Sequence, residues 1–195
     1  DKPGNALDAI PVPISTPGWD VGPVATLTQY VTKDSDTGLQ NMGNYRAQIK
    51  GPRRMGMNPS LELRPGIYVH WEKMKARGEK LPAAVVLGAP SCVTFTAAQK
   101  LPENIEEITI AGGLVGAPIN VVKARTVDLF VPAEAEIVVE GYINTEMLEP
   151  EAPFGESHGH VNLQEFNAYM DVTCITRRSD PVMTSIISQV TPSES

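Results

Sequence analysis

Cysteine is nearly absent from this chain. Cys92 and Cys174 are the only two in 195 residues, far apart and outside any CxxC spacing. That excludes a disulfide framework and reads as two buried free thiols of a cytoplasmic protein. Histidine is scarce too: His70, His158 and His160. No HExxH or other zinc spacing is formed, so His158-Gly-His160 reads as two loop histidines rather than a metal site. Positive charge is the minority, with 16 Lys and Arg against 23 Asp and Glu and a net charge of −7. This argues against a nucleic-acid partner or an anionic membrane surface. No apolar run approaches the roughly 20 residues of a membrane span, and no signal-peptide pattern opens the sequence. There is no GxGxxG, no Walker sequence and no Gly-x-Ser-x-Gly elbow, which removes support for a Rossmann, P-loop or α/β-hydrolase reading. No internal repeat or low-complexity tract is visible.

What is present is a chain long enough for one good core, 42% hydrophobic and 20% charged, as in ordinary globular domains. Residues 1–23 carry five prolines and three glycines and read as an extended lead-in. Residues 24–195 form the domain proper. Val24–Lys33 alternates and predicts a strand, Asp34–Gly38 a turn, and Asn44–Lys50 the returning strand of a hairpin. Arg53–Ser60 reads as a strand or loop edge. Ile67–Arg77 has helical spacing and ends at Gly78. Ala83–Leu87 predicts a buried strand, Cys92–Ala98 a helical turn and Ile105–Leu114 a helix. Val121–Val131 and Glu136–Ile143 predict strands. Ala168–Arg177 and Val182–Ser188 predict a closing hairpin around Arg178-Ser-Asp-Pro181. Many short strands with a few helices predict an α+β domain built on an antiparallel barrel. Asp1-Lys-Pro-Gly lacks an initiator Met, and Thr191–Ser195 is an abrupt end. A piece of a longer protein is therefore expected.

Four stretches carry chemistry. Glu151-Ala-Pro-Phe-Gly-Glu156 places two carboxylates in a segment bent by Pro and Gly. Close carboxylates push their proton affinities apart, and an arginine between them fixes which one stays charged. Asn41-Met-Gly-Asn-Tyr-Arg46 offers that arginine, a planar fork for carboxylate or phosphate. It also reads as a plain hairpin end. Arg53, Arg54 and Arg64 around Gly56, Asn58 and Ser60 suit a phosphate cradle or a solvated charged strand. Glu103, Glu106 and Glu107 suit a hard cation or the dipole of a helix N-terminus.

These motifs, with Ala111-Gly-Gly-Leu-Val-Gly116 and the strand Ala135-Glu-Ile-Val-Val-Glu-Gly141, resemble the UbiD family of decarboxylases from about Ile10 onward. The resemblance implies the family's central domain, a split β-barrel like that of flavin reductases with a few flanking helices. It implies reversible decarboxylation of an aromatic or α,β-unsaturated acid, with CO2 as co-product. It implies prenylated FMN, Mn2+ (or Mg2+) and K+ as cofactors, a flavin prenyltransferase as cofactor supplier and a homo-oligomeric parent enzyme. Residue by residue, Arg46, Glu151 and Glu156 match the catalytic Glu-Arg-Glu network, with Glu156 the expected proton donor. Asn44, Tyr45 and Arg46 match the flavin-contacting turn. Asn58, Pro59, Ser60, Leu63 and Arg64 fall in the second flavin contact. Asn41 and Glu107 match metal ligands. The third family ligand is commonly histidine, and here that place falls near Glu62. Thr96 and Ala97 fall where backbone carbonyls hold potassium. Two alternatives are a flavin-binding reductase on the same barrel, which needs no paired acids, and a non-catalytic flavin-binding or assembly domain.

Overall fold

A computed structural model describes residues 4–59, 64–151, 153–156 and 158–188. A short 3-10 turn at Leu7–Ala9 opens the described chain. Then come β1 (Val24–Ala25), β2 (Thr28–Lys33), β3 (Gln40–Asn44), β4 (Ala47–Gly51) and β5 (Arg54–Gly56). Helix α1 (Gly66–Ala76), strand β6 (Leu81–Leu87), and helices α2 (Ser91–Ala97) and α3 (Glu107–Val115) follow. The second half holds β7 (Val121–Lys123), β8 (Phe130–Pro132), β9 (Ile137–Ile143), β10 (Glu149–Glu151), β11 (Phe154–Gly155), β12 (Val161–Asn162), β13 (Glu165–Asn167) and β14 (Tyr169–Arg177). Among the described residues no helix is long and apolar enough to cross a membrane.

Eight strands make one antiparallel sheet in the order β1-β4-β5-β14-β9-β6-β2-β3. β3 is the last strand of that order and β4 the second, yet only Tyr45 and Arg46 separate them in sequence. Three Cα steps reach about 11 Å at most, so the sheet must curl until its ends nearly meet. The result is the expected antiparallel half-barrel with three helices. The inside is filled by Tyr30, Ala47, Met55, Leu81, Ala83, Val85, Val139, Ile143 and Met170. Ala84 and Val86 point the other way, against Val93 of α2 and Ala111 of α3. β6 is covered on both faces, which is why it reads as a continuous apolar run rather than an alternating one. α1 buries Ile67, His70, Trp71 and Met74, one stripe at helical spacing. α3 ends at Gly116 in the left-handed conformation, φ 68°.

Several expectations give way to the structure. The strand returning beside β2 is β3, Gln40–Asn44, and not Asn44–Lys50; β4 crosses to the other end of the sheet. Val24–Lys33 breaks into β1 and β2. Among the described residues of the 53–60 stretch, strand is confined to Arg54–Gly56; Ser60 lies outside them. Val121–Val131 splits into β7 and β8, which pair with each other. The split occurs because the buried Glu140 carboxylate accepts the backbone N–H groups of Arg125 and Thr126 at 3.0 and 2.6 Å, stitching that turn down. Residues 182–188 form no hairpin with β14, because β14 already has β9 on one edge and β5 on the other. Instead the Ile186 N–H donates to Thr26 Oγ1 at 3.0 Å. The lead-in is tied down as well: Leu7 is buried and its N–H donates to the Pro52 carbonyl at 3.0 Å.

Candidate active site

Arg46 sits at the seam where the sheet ends approach. Its Nε and Nη2 donate to Glu151 Oε1 and Oε2, each at 2.9 Å, and its Nη1 donates to Glu156 Oε1. Glu151 ends β10, which β13 holds in register opposite Glu165. Glu156 follows β11, which pairs with β12. The Phe154 ring lies under the guanidinium, 4.8 Å from its carbon. Burial opposes the charge on Arg46, but the Glu151 hydrogen bonds and the fields of Glu151, Glu156 and Glu165 outweigh it and raise its pKa above the ordinary value. It is a fixed cation.

The two carboxylates are not equivalent. Glu151 is 1% exposed, and its two oxygens accept from Arg46 twice and from Asn58 Nδ2 at 2.9 Å. Oε1 takes one of these hydrogen bonds and Oε2 two, so three donors hold this carboxylate in place. Glu156 is 22% exposed on its side chain. Its Oε1 accepts from Arg46 and from Asn162 Nδ2 at 2.7 Å. Among the described residues no donor reaches Oε2. The Tyr30 phenol beneath is held protonated by burial and by the Glu151 charge, and it donates to the Gly56 carbonyl at 3.0 Å.

Beyond the seam a cavity of about 590 Å³ opens between β3 and the three helices. Asn41, Asn44, Tyr45, Gly66, Ala97 and Glu107 line it. β3 is an edge strand, and the two glutamates at the start of α3 seal its open N–H groups. Glu106 Oε1 accepts from Gln40 and Glu107 Oε2 from Met42, both at 2.7 Å. Burial raises the Glu107 pKa, partly offset by the Met42 N–H. Among the described residues the buried Asn41 Nδ2 makes no hydrogen bond of good geometry, and its amide lies against the Tyr45 phenol. Gly66 packs so tightly here that a Cβ would land on Asn41 Oδ1. A buried amide, a desolvated carboxylate and a helix N-terminus facing one cavity make a donor set suited to a phosphate and a hard cation.

The other candidates fall as follows. Asn58 lies beside Arg46, its N–H on the Arg46 carbonyl at 3.2 Å, and its side chain serves Glu151. Pro59 precedes the gap; Ser60, Glu62 and Leu63 lie outside the described residues. Arg64 has left-handed backbone, φ 42°, and pairs with Glu72 at 3.0 Å on the surface. Thr96 is turned into its own helix, with Oγ1 on the Cys92 and Val93 carbonyls, and its carbonyl accepts the Gln99 N–H at 3.0 Å. Arg54 is not in a phosphate cradle: Glu149 and Asp171 hold it at 2.5 and 2.9 Å over the Tyr169 ring. His158 and His160 face each other at 5.2 Å between ring centroids. No group of three metal-binding His, Cys, Asp or Glu side chains exists among the described residues. Sequence reasoning missed Asn162, and it missed the Asn58 contact to Glu151. No local pattern marks the first, because its contact depends on the β11–β12 pairing.

Likeness to known proteins gives the family and the fold. The family model described as "3-octaprenyl-4-hydroxybenzoate carboxy-lyase Rift-related domain" matches residues 2–190. An uncharacterized protein of Synechocystis sp. is 34% identical over 192 residues, 98% of this chain and 38% of that protein. The UbiD-class enzyme HmfF of Pelotomaculum thermopropionicum, in an evolved dimeric form in complex with prFMN, superposes with TM-score 0.89 at 31% identity, over 97% of this chain and 44% of HmfF. Vanillic acid decarboxylase of Sedimentibacter hydroxybenzoicus superposes with TM-score 0.82 at 31% identity, over 86% of this chain and 36% of that one. The chain thus spans about two fifths of the length of these relatives. It belongs to the UbiD family.

Proposed function

We propose that this chain is the flavin-binding and acid–base domain of a decarboxylase that reversibly and non-oxidatively removes CO2 from an aromatic or α,β-unsaturated acid. Residues 24–195 are the working domain and 1–23 its lead-in. The observation that carries this reading is the asymmetric clasp on Arg46: Glu151 uses both oxygens and Glu156 only one.

The donor set around the cavity fits a flavin phosphate. Asn41 and Glu107, with Glu62 as third ligand, would hold Mn2+ (or Mg2+), and the carbonyls of Thr96 and Ala97 would hold K+. Asn44, Tyr45 and Arg46 would run along the flavin toward the clasp. When bound, prenylated FMN supplies the sink for the electron pair that departing CO2 leaves behind. The residues handle charge and proton. Arg46 spends three of its five N–H donors on the two glutamates, which leaves two for the substrate carboxylate. Glu151 stays ionised and balances the guanidinium. Glu156 delivers its Oε2 proton to the carbon that loses CO2 and recovers a proton from water. In reverse it removes that proton. General acid help of this kind contributes roughly 10²–10⁴ in rate.

The test is CO2 release by the full-length protein loaded with prenylated FMN, Mn2+ and K+. Vanillic, cinnamic, furan-2-carboxylic and 2-naphthoic acids serve as a four-member panel for hydroxybenzoic, acrylic, heteroaromatic and polycyclic acids. Release from at least one, scaling with bound flavin, is expected. No release from any of them would overturn the reading.

A further inference from the structure

We propose that Asn162 is a positioning residue that keeps Glu156 in its proton-donating orientation; this rests on Glu156 being the general acid. Three observations carry it. First, the β11–β12 hairpin pairs Phe154 with Asn162 and Gly155 with Val161. The Glu156 N–H continues the ladder to the His160 carbonyl at 2.8 Å, and Gly159 closes the turn with φ 90°. Glu156 and Asn162 are therefore diagonal neighbours on one face of the ribbon. Phe154, on that same face, lies under the Arg46 guanidinium.

Second, Asn162 Nδ2 donates at 2.7 Å to Glu156 Oε1, the oxygen that Arg46 Nη1 also holds. Two donors from separate elements converge on one oxygen, and among the described residues none reaches Oε2. Third, the alternative arrangement exists in the same site. Glu151 meets the same guanidinium through both oxygens, with Asn58 Nδ2 on Oε2 as well. The terminal torsion of a glutamate is soft. With Asn162 gone, nothing but Arg46 would orient the Glu156 carboxyl, and the free N–H groups of the guanidinium would draw its second oxygen into the same two-point contact. Asn162 thus separates the proton donor from the permanent anion.

The test measures kcat and KM against pH for Asn162→Ala and Asn162→Asp beside Glu156→Gln. All are made in the full-length holoenzyme, with the best acid of the four-member panel. Bound flavin per protein and Tm serve as folding controls, and the isosteric Asn162→Asp stands in should the alanine variant fold poorly. Asn162→Ala is expected to lower kcat about tenfold or more with KM within about twofold. Asn162→Asp sets a second carboxylate against Oε1, so proton loss is opposed and the alkaline limb of its kcat profile moves to higher pH. A merely structural asparagine would move neither the kcat-to-KM split nor the profile. Wild-type kcat and profile in both variants, with Glu156→Gln inactive, would overturn the role of Asn162 alone. Wild-type turnover in Glu156→Gln would instead overturn the general-acid reading, and this inference with it.

Discussion

Arg46 and Glu151 meet as fork to fork: Nε and Nη2 each lie 2.9 Å from a different oxygen of a carboxylate that is 1% exposed. The pair joins the seam of the sheet to the end of β10 and fixes the charge balance of the site. Breaking a buried pair typically destabilises by about 3–5 kcal/mol; removing Glu151 leaves only the partly exposed Glu156 to balance Arg46, which sets that range as the upper bound. Glu151→Ala should therefore lower the urea midpoint of unfolding by a large fraction of the protein's stability. Arg46→Lys keeps the charge but loses the fork, and it should reduce substrate affinity and turnover together. Wild-type stability in Glu151→Ala would show that the pair is not held as described.

Gly66 is where α1 approaches Asn41 most closely. A Cβ there would land on Asn41 Oδ1. Alanine has the better helix propensity by about 0.8–1.0 kcal/mol, so Gly66→Ala should not lower Tm much. It should displace Asn41 and weaken flavin retention at least tenfold in a fluorescence titration. Unchanged flavin affinity would remove Asn41 from the phosphate end of the site.

Metal dependence tests that end independently. Glu107 and Asn41 face the cavity with a desolvated carboxylate and a buried amide, and a divalent cation would relieve both the desolvation and the phosphate repulsion. Exhaustive chelation should release the flavin, and Mn2+ should restore binding. Flavin retained after the metal is gone would contradict the proposed ligand role.

His70 gives a signed pH dependence. Its imidazole is buried, with Nδ1 2.9 Å from Thr32 Oγ1, and burial lowers its pKa below 6.5 against the opposing charge of Asp34; Lys73 lowers it further and Glu103 raises it. The unfolded chain, titrating near 6.5, then binds more protons than the folded one. Stability should rise with pH up to about 6.5 and fall as pH drops from there toward the lowered folded value. Urea unfolding of wild type and His70→Gln between pH 5 and 7 should show this slope reduced in the variant. Equal slopes would exclude His70 as its source.

How much of this was legible in the sequence follows from what local patterns can encode. The spacing of Ile67, Trp71 and Met74 fixed α1, because a single helix chooses its own face. The bend at Pro153 and Gly155 and the fork of Arg46 pointed to the clasp through chemistry alone. The strand partners were hidden. Val182–Ser188 is rich in β-branched residues as a strand should be, but composition does not record that both edges of β14 are occupied. Asn44–Lys50 looked like a hairpin return because nothing local says that the chain steps across a seam at Tyr45 and Arg46. Glu106 and Glu107 read as helix-start acids, while their contacts to Gln40 and Met42 seal a strand edge more than sixty residues away. Asn162 could be found only once the ribbon set it diagonal to Glu156.

The most direct measurement of the central claim is single-turnover decarboxylation by the full-length holoenzyme carrying Glu156→Gln. A glutamine keeps the shape and can still accept from Arg46 and Asn162, but it carries no exchangeable carboxyl proton. The account predicts a rate at least a hundredfold lower, with bound flavin and Tm near wild type. Wild-type turnover in that variant would contradict it.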